Sequence, residues 1–174
     1  GQDFENPVHT PFVTPYDLDW DYLINWDHEF VGKDALEKIA EKPARKCVTL
    51  EWNAEDVGKV YAAQFMGEAH LEADDITPGV DAGFVPFTAS KVYDGDELVG
   101  VATGRSHDYY HHRMISLAFI DRERAQQGGE LTVVWGTPGT HQMKVRATIV
   151  PFPYYDEHMR NETFDVNEIP RLGE

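Results

Sequence analysis

Four or five short alternating segments between residues 92 and 155 limit what this chain can fold into more than any other feature. Val92-Tyr93 runs into Asp94-Gly95, a pair suited to the positive φ of a tight hairpin turn. Leu98 to Arg105 follows, with Val99, Val101 and Thr103 on one face and Leu98, Gly100, Ala102 and Gly104 on the other. Met114 to Ile120 alternates bulky Ile115, Leu117 and Phe119 with small Ser116 and Ala118, the pattern of a strand covered on both sides. Its small face is expected under another layer. Leu131, Val133 and Trp135 form the next run, and Thr137-Pro138-Gly139 turns the chain. Met143, Val145, Ala147 and Ile149 then face inward while Lys144, Arg146 and Thr148 face water. Repeated strands at this spacing predict a small antiparallel barrel or sandwich over residues 92–156, with Ile115, Leu117, Phe119, Val145 and Ile149 buried.

Upstream, residues 1–13 read as extended, because Pro7, Pro11 and Pro15 bias the residues before them away from helix. Residues 14–66 read as a strand, helix and strand that pack on the barrel. In the aromatic, acidic run from Tyr16 to Trp26, alternation sets Leu18, Trp20, Tyr22 and Ile24 against Asp17, Asp19 and Asp21, as in a half-buried strand with a solvated acidic face. Gly32 leads into a short helix with an apolar stripe of Ala35, Leu36, Ile39 and Ala40, ended at Lys42-Pro43. Lys46 to Trp52 is a strand with Val48, Leu50 and Trp52 on one side. Asn53 then caps a helix through Val57, Val60, Tyr61 and Phe65 whose first turn is acidic. Residues 67–91 form an acidic loop and residues 157–174 a weakly patterned tail. The fold class is therefore mainly β with short helices (α+β): an N-terminal strand–helix–strand segment and an antiparallel barrel.

Charge narrows the partners. Fifteen lysines and arginines against 31 acids give a net charge of −16, which repels a phosphate backbone and an anionic membrane alike. Nucleic acid and membrane are thus not expected partners. No apolar run is long enough to cross a bilayer and no charged-then-apolar leader opens the chain. Cys47 stands alone, so no internal disulfide forms, and the reducing cytoplasm is the simplest location. A chain that opens on Gly1 in place of methionine reads as a piece of a longer polypeptide.

The densest polar cluster is Arg105-Ser106-His107-Asp108-Tyr109-Tyr110-His111-His112-Arg113. Its histidines lack a second ligand group at matching spacing, so no metal is assigned. Ser106 and His107, adjacent on a strand, point to opposite faces and make no nucleophile pair. Gly128-Gly129 lies between strands and not before a helix, which removes a phosphate loop. In so acidic a chain, however, Arg105 and Arg113 form a positive exception. Either they attract an anion, with a guanidinium able to hold a carboxylate through two parallel hydrogen bonds, or they pair with neighbours such as Asp108.

The order of several motifs carries a family resemblance. Glu29-Phe30-Val31-Gly32-Lys33-Asp34-Ala35-Leu36 resembles the D-F-I-G-[KR]-x-A-L segment of the glycine cleavage T-protein (aminomethyltransferase) family. Thr14-Pro15, Arg45 to Leu50, Gly95 to Gly100, Ile115 to Ile120, Gly129 to Val133 and Pro153-Tyr154-Tyr155-Asp156 are similar to further family motifs in the same order. The resemblance spans residues 14–156, with the acidic loop as an insertion. Gly104-Arg105-Ser106-His107-Asp108-Tyr109 departs from the S-G-T-x-S-P of glycine-cleavage members. Arg113 to Leu117 and Val134-Trp135-Gly136 look more like the tetrahydrofolate-dependent O-demethylases of methoxylated aromatic acids.

The resemblance implies a C-terminal barrel that closes a ring with N-terminal folate-binding lobes of the same protein, where the catalytic acid and most folate contacts reside. It implies that Tyr22, at the position of a family tryptophan, lies beside tetrahydrofolate. Arg105, His107 and Tyr109 are expected at the opening toward an aromatic acid substrate. The alternatives are a non-catalytic binding or interaction domain built on the same barrel, and a domain of a glycine-cleavage aminomethyltransferase.

Overall fold

A computed structural model describes residues 13–66, 89–136 and 141–154. The N-terminal extended segment up to residue 12, most of the acidic loop, the Thr137-Pro138-Gly139 turn and the tail lie outside the described residues. Six strands close into one antiparallel barrel: β1 (Arg45–Trp52), β2 (Ala89–Asp94), β3 (Glu97–Asp108), β4 (Arg113–Asp121), β5 (Glu130–Trp135) and β6 (Met143–Val150). Around the barrel they run β1-β4-β3-β2-β5-β6, and β6 returns to β1. The strand at residues 45–52, expected to pack on the barrel, is thus one of its staves. Two helices, α1 (Lys33–Glu41) and α2 (Ala54–Phe65), flank β1 in sequence.

The interior follows the alternation of most strands. Val48, Leu50 and Trp52 of β1, Leu131, Val133 and Trp135 of β5, and Val145, Ala147 and Ile149 of β6 are all buried. On β4 the expected faces are exchanged. Met114, Ser116, Ala118 and Ile120 point inward, whereas Ile115 and Phe119 are half-buried outside and Leu117 is 41 % exposed. The cause is volume, since a close-packed interior leaves no room for overfilling. Trp52 and Trp135 already occupy the barrel, their rings edge to face at 5.6 Å, and Trp52 Nε1 donates to Ser116 Oγ at 2.9 Å. Only a small residue fits at that point. On β3, Gly100 lies opposite Ile120, and a Cβ there would sit 2.2 Å from the Phe119 carbonyl oxygen. The two strands approach so closely that glycine is required.

Helix α2 forms as its sequence directs. Asn53 Oδ1 accepts from the Asp56 amide at 3.1 Å, capping the first turn. Val60 is buried in the same core cluster as the two tryptophans, Ala63 is also buried, and the Tyr61 ring stands edge-on to Trp135 at 5.7 Å. Asp56 accepts from Arg146 Nε at 2.7 Å and from its Nη2 at 3.0 Å, tying α2 to β6. These bonds hold the Asp56 carboxyl far below the usual carboxylate range.

The segment before α1 differs from expectation. Residues 15–19 turn and Asp21–Leu23 form a 3-10 turn where a strand was expected. Asp17, placed by alternation on a solvated face, is only 3 % exposed. Its carboxylate accepts from the Thr14 amide at 2.8 Å and from Arg45 Nη2 at 3.0 Å. Such side-chain-to-backbone bonding competes with a sheet ladder, and Asp19 adds a left-handed φ of 60°. The turns lie over the outer side of β1, where Arg45, Cys47 and Thr49 are buried. Burial, with Asp19 and Asp17 nearby, pushes the Cys47 thiol up to about 11. No residue of α1 is fully buried: Leu36 and Ile39 are half-covered, Ala35 and Ala40 exposed.

Candidate functional site

The polar cluster at residues 105–113 is the end of β3, a four-residue turn and the start of β4. Gly104 takes a φ of 63°, and the ladder to β4 shifts register between Thr103 and Ser106. A bulge of this kind re-aims the side chain that follows. Arg105 therefore points into the end of the barrel and is 7 % exposed. Its guanidinium carbon lies 3.8 Å from the centroid of the Trp135 ring and 5.7 Å from that of Trp52, a desolvated cation–π stack. Arg105 is thus held beneath the surface of the hairpin.

The next residues build outward. His107 is half-buried, its ring 4.4 Å from that of Tyr109, which is itself 70 % exposed. Asp108 is buried; it accepts from the Tyr110 amide at 3.0 Å through Oδ1, and Oδ2 meets His111 Nδ1 at 2.5 Å. That pairing fixes the orientation of the His111 ring. Arg113 Nε meets Glu51 Oε1 at 3.1 Å, so this arginine takes an acid on β1 as its partner. Glu51 Oε2 also accepts from the Tyr154 hydroxyl at 3.1 Å. Burial first, then the Glu51 charge and hydrogen bond, push the Tyr154 phenol up to about 12. The His111 ring stands edge-on to Tyr154 at 5.6 Å. A network of Asp108, His111, Arg113, Glu51 and Tyr154 therefore joins β3, β4, β1 and the segment after β6.

Neither Glu51 nor Tyr154 is among the site residues expected from the sequence, where Tyr154 enters only within the Pro153-to-Asp156 motif. The one local signal was a carboxylate lodged between Leu50 and Trp52 on an apolar strand. The structure unites Arg105, His107 and Tyr109 in one hairpin. Tyr22 belongs to the N-terminal segment, where it is 77 % exposed with Trp20 and Leu23 exposed beside it. Among the described residues, no group of three or more His, Cys, Asp and Glu side chains is placed to hold a metal ion.

No family model matches the chain. It is 40 % identical over 168 residues to a sesamin methylene transferase from Sinomonas sp. (strain No.22), covering 92 % of this chain and 37 % of that protein. It is 32 % identical over 152 residues to a syringate O-demethylase from Sphingobium sp. (strain SYK-6), covering 82 % of this chain and 32 % of that one. A probable aminomethyltransferase from Pyrococcus horikoshii is 30 % identical over 146 residues, or 83 % of this chain and 28 % of that protein. Over most of its length the chain is similar to proteins of the aminomethyltransferase family. The fold agrees: the aminomethyltransferase T of the glycine cleavage system from Bartonella henselae superposes with a TM-score of 0.54 over 84 % of this chain and 33 % of that one, at 16 % identity. Relative to these aminomethyltransferase-family proteins the chain spans about a third of their length, and it fits the C-terminal barrel part. No helix among the described residues is long and apolar enough to cross a membrane.

Proposed function

We propose that this chain is the C-terminal barrel domain of a cytoplasmic, tetrahydrofolate-dependent methyltransferase or O-demethylase that acts on methoxylated aromatic acids. The observation that carries the reading is similarity across nearly the whole barrel to proteins named for methylene transfer and for O-demethylation of syringate. Its partner is the N-terminal folate-binding portion of the same polypeptide. The barrel, with its β1 stave, α2 and the segment leading into α1, forms the closing unit, and the chain by itself is inactive.

The residues present suit a flat, partly polar cofactor. Tyr22 and Trp20 offer exposed aromatic faces on which a pterin ring can stack, and the Tyr22 hydroxyl adds a hydrogen bond at the edge. When bound, tetrahydrofolate supplies the acceptor for the one-carbon unit. The hairpin faces the substrate. Tyr109 and His107 present a ring pair to an aromatic acid, while Arg105, fixed on Trp135 beneath them, contributes positive charge that favours the carboxylate. The task of these groups is orientation and exclusion of water.

The test uses the parent polypeptide. Tyr109→Ala is expected to raise KM for the aromatic acid with the melting temperature unchanged, and Tyr22→Ala to raise Kd for tetrahydrofolate. The isolated chain is expected to bind tetrahydrofolate weakly or not at all and to lack demethylase activity. A calorimetric titration showing tight folate binding to the chain alone would overturn this division of roles.

A further inference from the structure

Strand β4 is apolar on both sides. Met114, Ala118 and Ile120 fill the barrel, yet Ile115, Leu117 and Phe119 project from its outer wall. The outer patch widens onto β3, where Val101 lies opposite Phe119 and Thr103 opposite Leu117. On β6, by contrast, the outward positions Lys144, Arg146 and Thr148 are polar. A strand with bulky apolar residues on both faces has the composition of one covered on both faces. In an antiparallel barrel whose outer side met water, the outward positions would be polar.

The position of the patch indicates what covers it. On the other side of β4 lies β1, paired Cys47 to Phe119 and Thr49 to Leu117. The outer side of β1 is already buried, beneath the turns at residues 14–19 that Asp17 pins to Arg45. The chain therefore enters the described structure across this side of the barrel, one strand away from Leu117. Proteins similar to this chain are about three times its length, so a large body of polypeptide is there to be placed.

We infer that the outer face of β4 and β3, centred on Leu117 with Ile115, Phe119, Val101 and Thr103, is the docking surface for the remaining lobes of the parent polypeptide. This rests on the reading of the chain as one domain of a longer enzyme, and it adds where the lobes sit. The docked surface is apolar and aliphatic–aromatic, so the face of the lobes that meets it is apolar too. The same contact explains why the bulky side of β4 persists although the barrel interior excludes it.

Thiol labelling tests the placement without using folate or activity. Cys47 is buried and gives a slow background. Leu117→Cys and, as an exposed control just beyond β4, Glu123→Cys are made in the parent polypeptide and in this chain, with each rate normalised to that of the denatured protein. In the parent, Leu117→Cys is expected to react with maleimide at least about tenfold more slowly than Glu123→Cys, because access requires opening of the contact. In this chain alone the two rates should be similar. Equal rates in the parent overturn the inference, and so does protection in the isolated chain that grows with its concentration, which would assign the face to a second copy. Should Leu117→Cys fail to fold, Thr103→Cys reads the same surface. Loss of folate binding with labelling protection intact would refute the functional reading and leave the docking surface standing.

Discussion

Two glycines in this chain should respond to the same substitution with opposite signs. Alanine at an unstrained glycine usually stabilises, because it narrows the unfolded ensemble by about 0.4–1 kcal/mol. At Gly58, within α2, nothing lies within 4 Å of the added Cβ, and helix propensity also favours alanine by roughly 0.5–1 kcal/mol. At Gly100 the new carbon would sit 2.2 Å from the Phe119 carbonyl oxygen and 3.0 Å from the Ile120 Cα. The first distance is more than about 1 Å short of ordinary contact, and both atoms are backbone, so strands β3 and β4 must separate. The Ile120 Cδ1 atom at 2.7 Å can rotate aside; the carbonyl cannot. Overpacking costs about 1–3 kcal/mol, and relief by backbone movement places this site at the upper end. After the unfolded-state gain, Gly100→Ala should cost about 2 kcal/mol net. For a chain of this size that lowers Tm by roughly 4–8 °C, while Gly58→Ala raises it by about 2–3 °C. Thermal melts followed by circular dichroism, checked by urea midpoints, read both. A Gly100→Ala protein that melts at or above the parent would refute the close approach of the two strands.

Other perturbations follow from the same contacts. Leu50 is fully buried between two ladders, so Leu50→Ala should cost about 2–5 kcal/mol by urea denaturation. Asp56 has its folded pKa depressed by Arg146, so its contribution is present above the unfolded value near about 3.9 and is lost as pH falls below it. Urea midpoints should therefore drop between neutral pH and about pH 3, and Asp56→Asn should flatten that limb while lowering stability at neutral pH. Tyr154 has the opposite sign: its pKa is raised to about 12, so its contribution holds below the unfolded value and disappears as pH rises toward 12. Ultraviolet titration should show a late phenol, and Glu51→Gln should bring it back toward the ordinary range; a phenol unmoved by that change would refute the Glu51 contact.

Strand positions were legible because alternation is a local property of the chain. The inward faces of β1, β5 and β6 could be read directly, since one side of each is clearly more apolar and large. On β4 alternation identified two faces but not which one enters the barrel; two tryptophans from other strands decided that. Arg105 was read as surface charge because the bulge at Gly104, which reverses the alternation, is set by pairing with β4. Asp17 was lost for a related reason: its partner Arg45 lies in a different element. The Glu51–Tyr154 contact spans a sequence separation of 103, so neighbouring residues show an acid on an apolar strand but not its partner.

The place of β1 in the barrel has a consequence for how the chain folds. The earliest strand among the described residues sits between β4 and β6, with Leu50 opposite Ser116 on one side and Ile149 on the other. The β3–β4 and β5–β6 pairs are hairpins that need only neighbouring residues, whereas closure joins strands from opposite ends of the described chain. Contacts of such long separation are made late and slowly, on the millisecond-to-second scale of other all-β domains. During synthesis, Val48, Leu50 and Trp52 must therefore wait, uncovered on the β6 side, until Val150 has left the ribosome. That interval, more than any weakness of the finished barrel, is when this domain is open to aggregation and to chaperones.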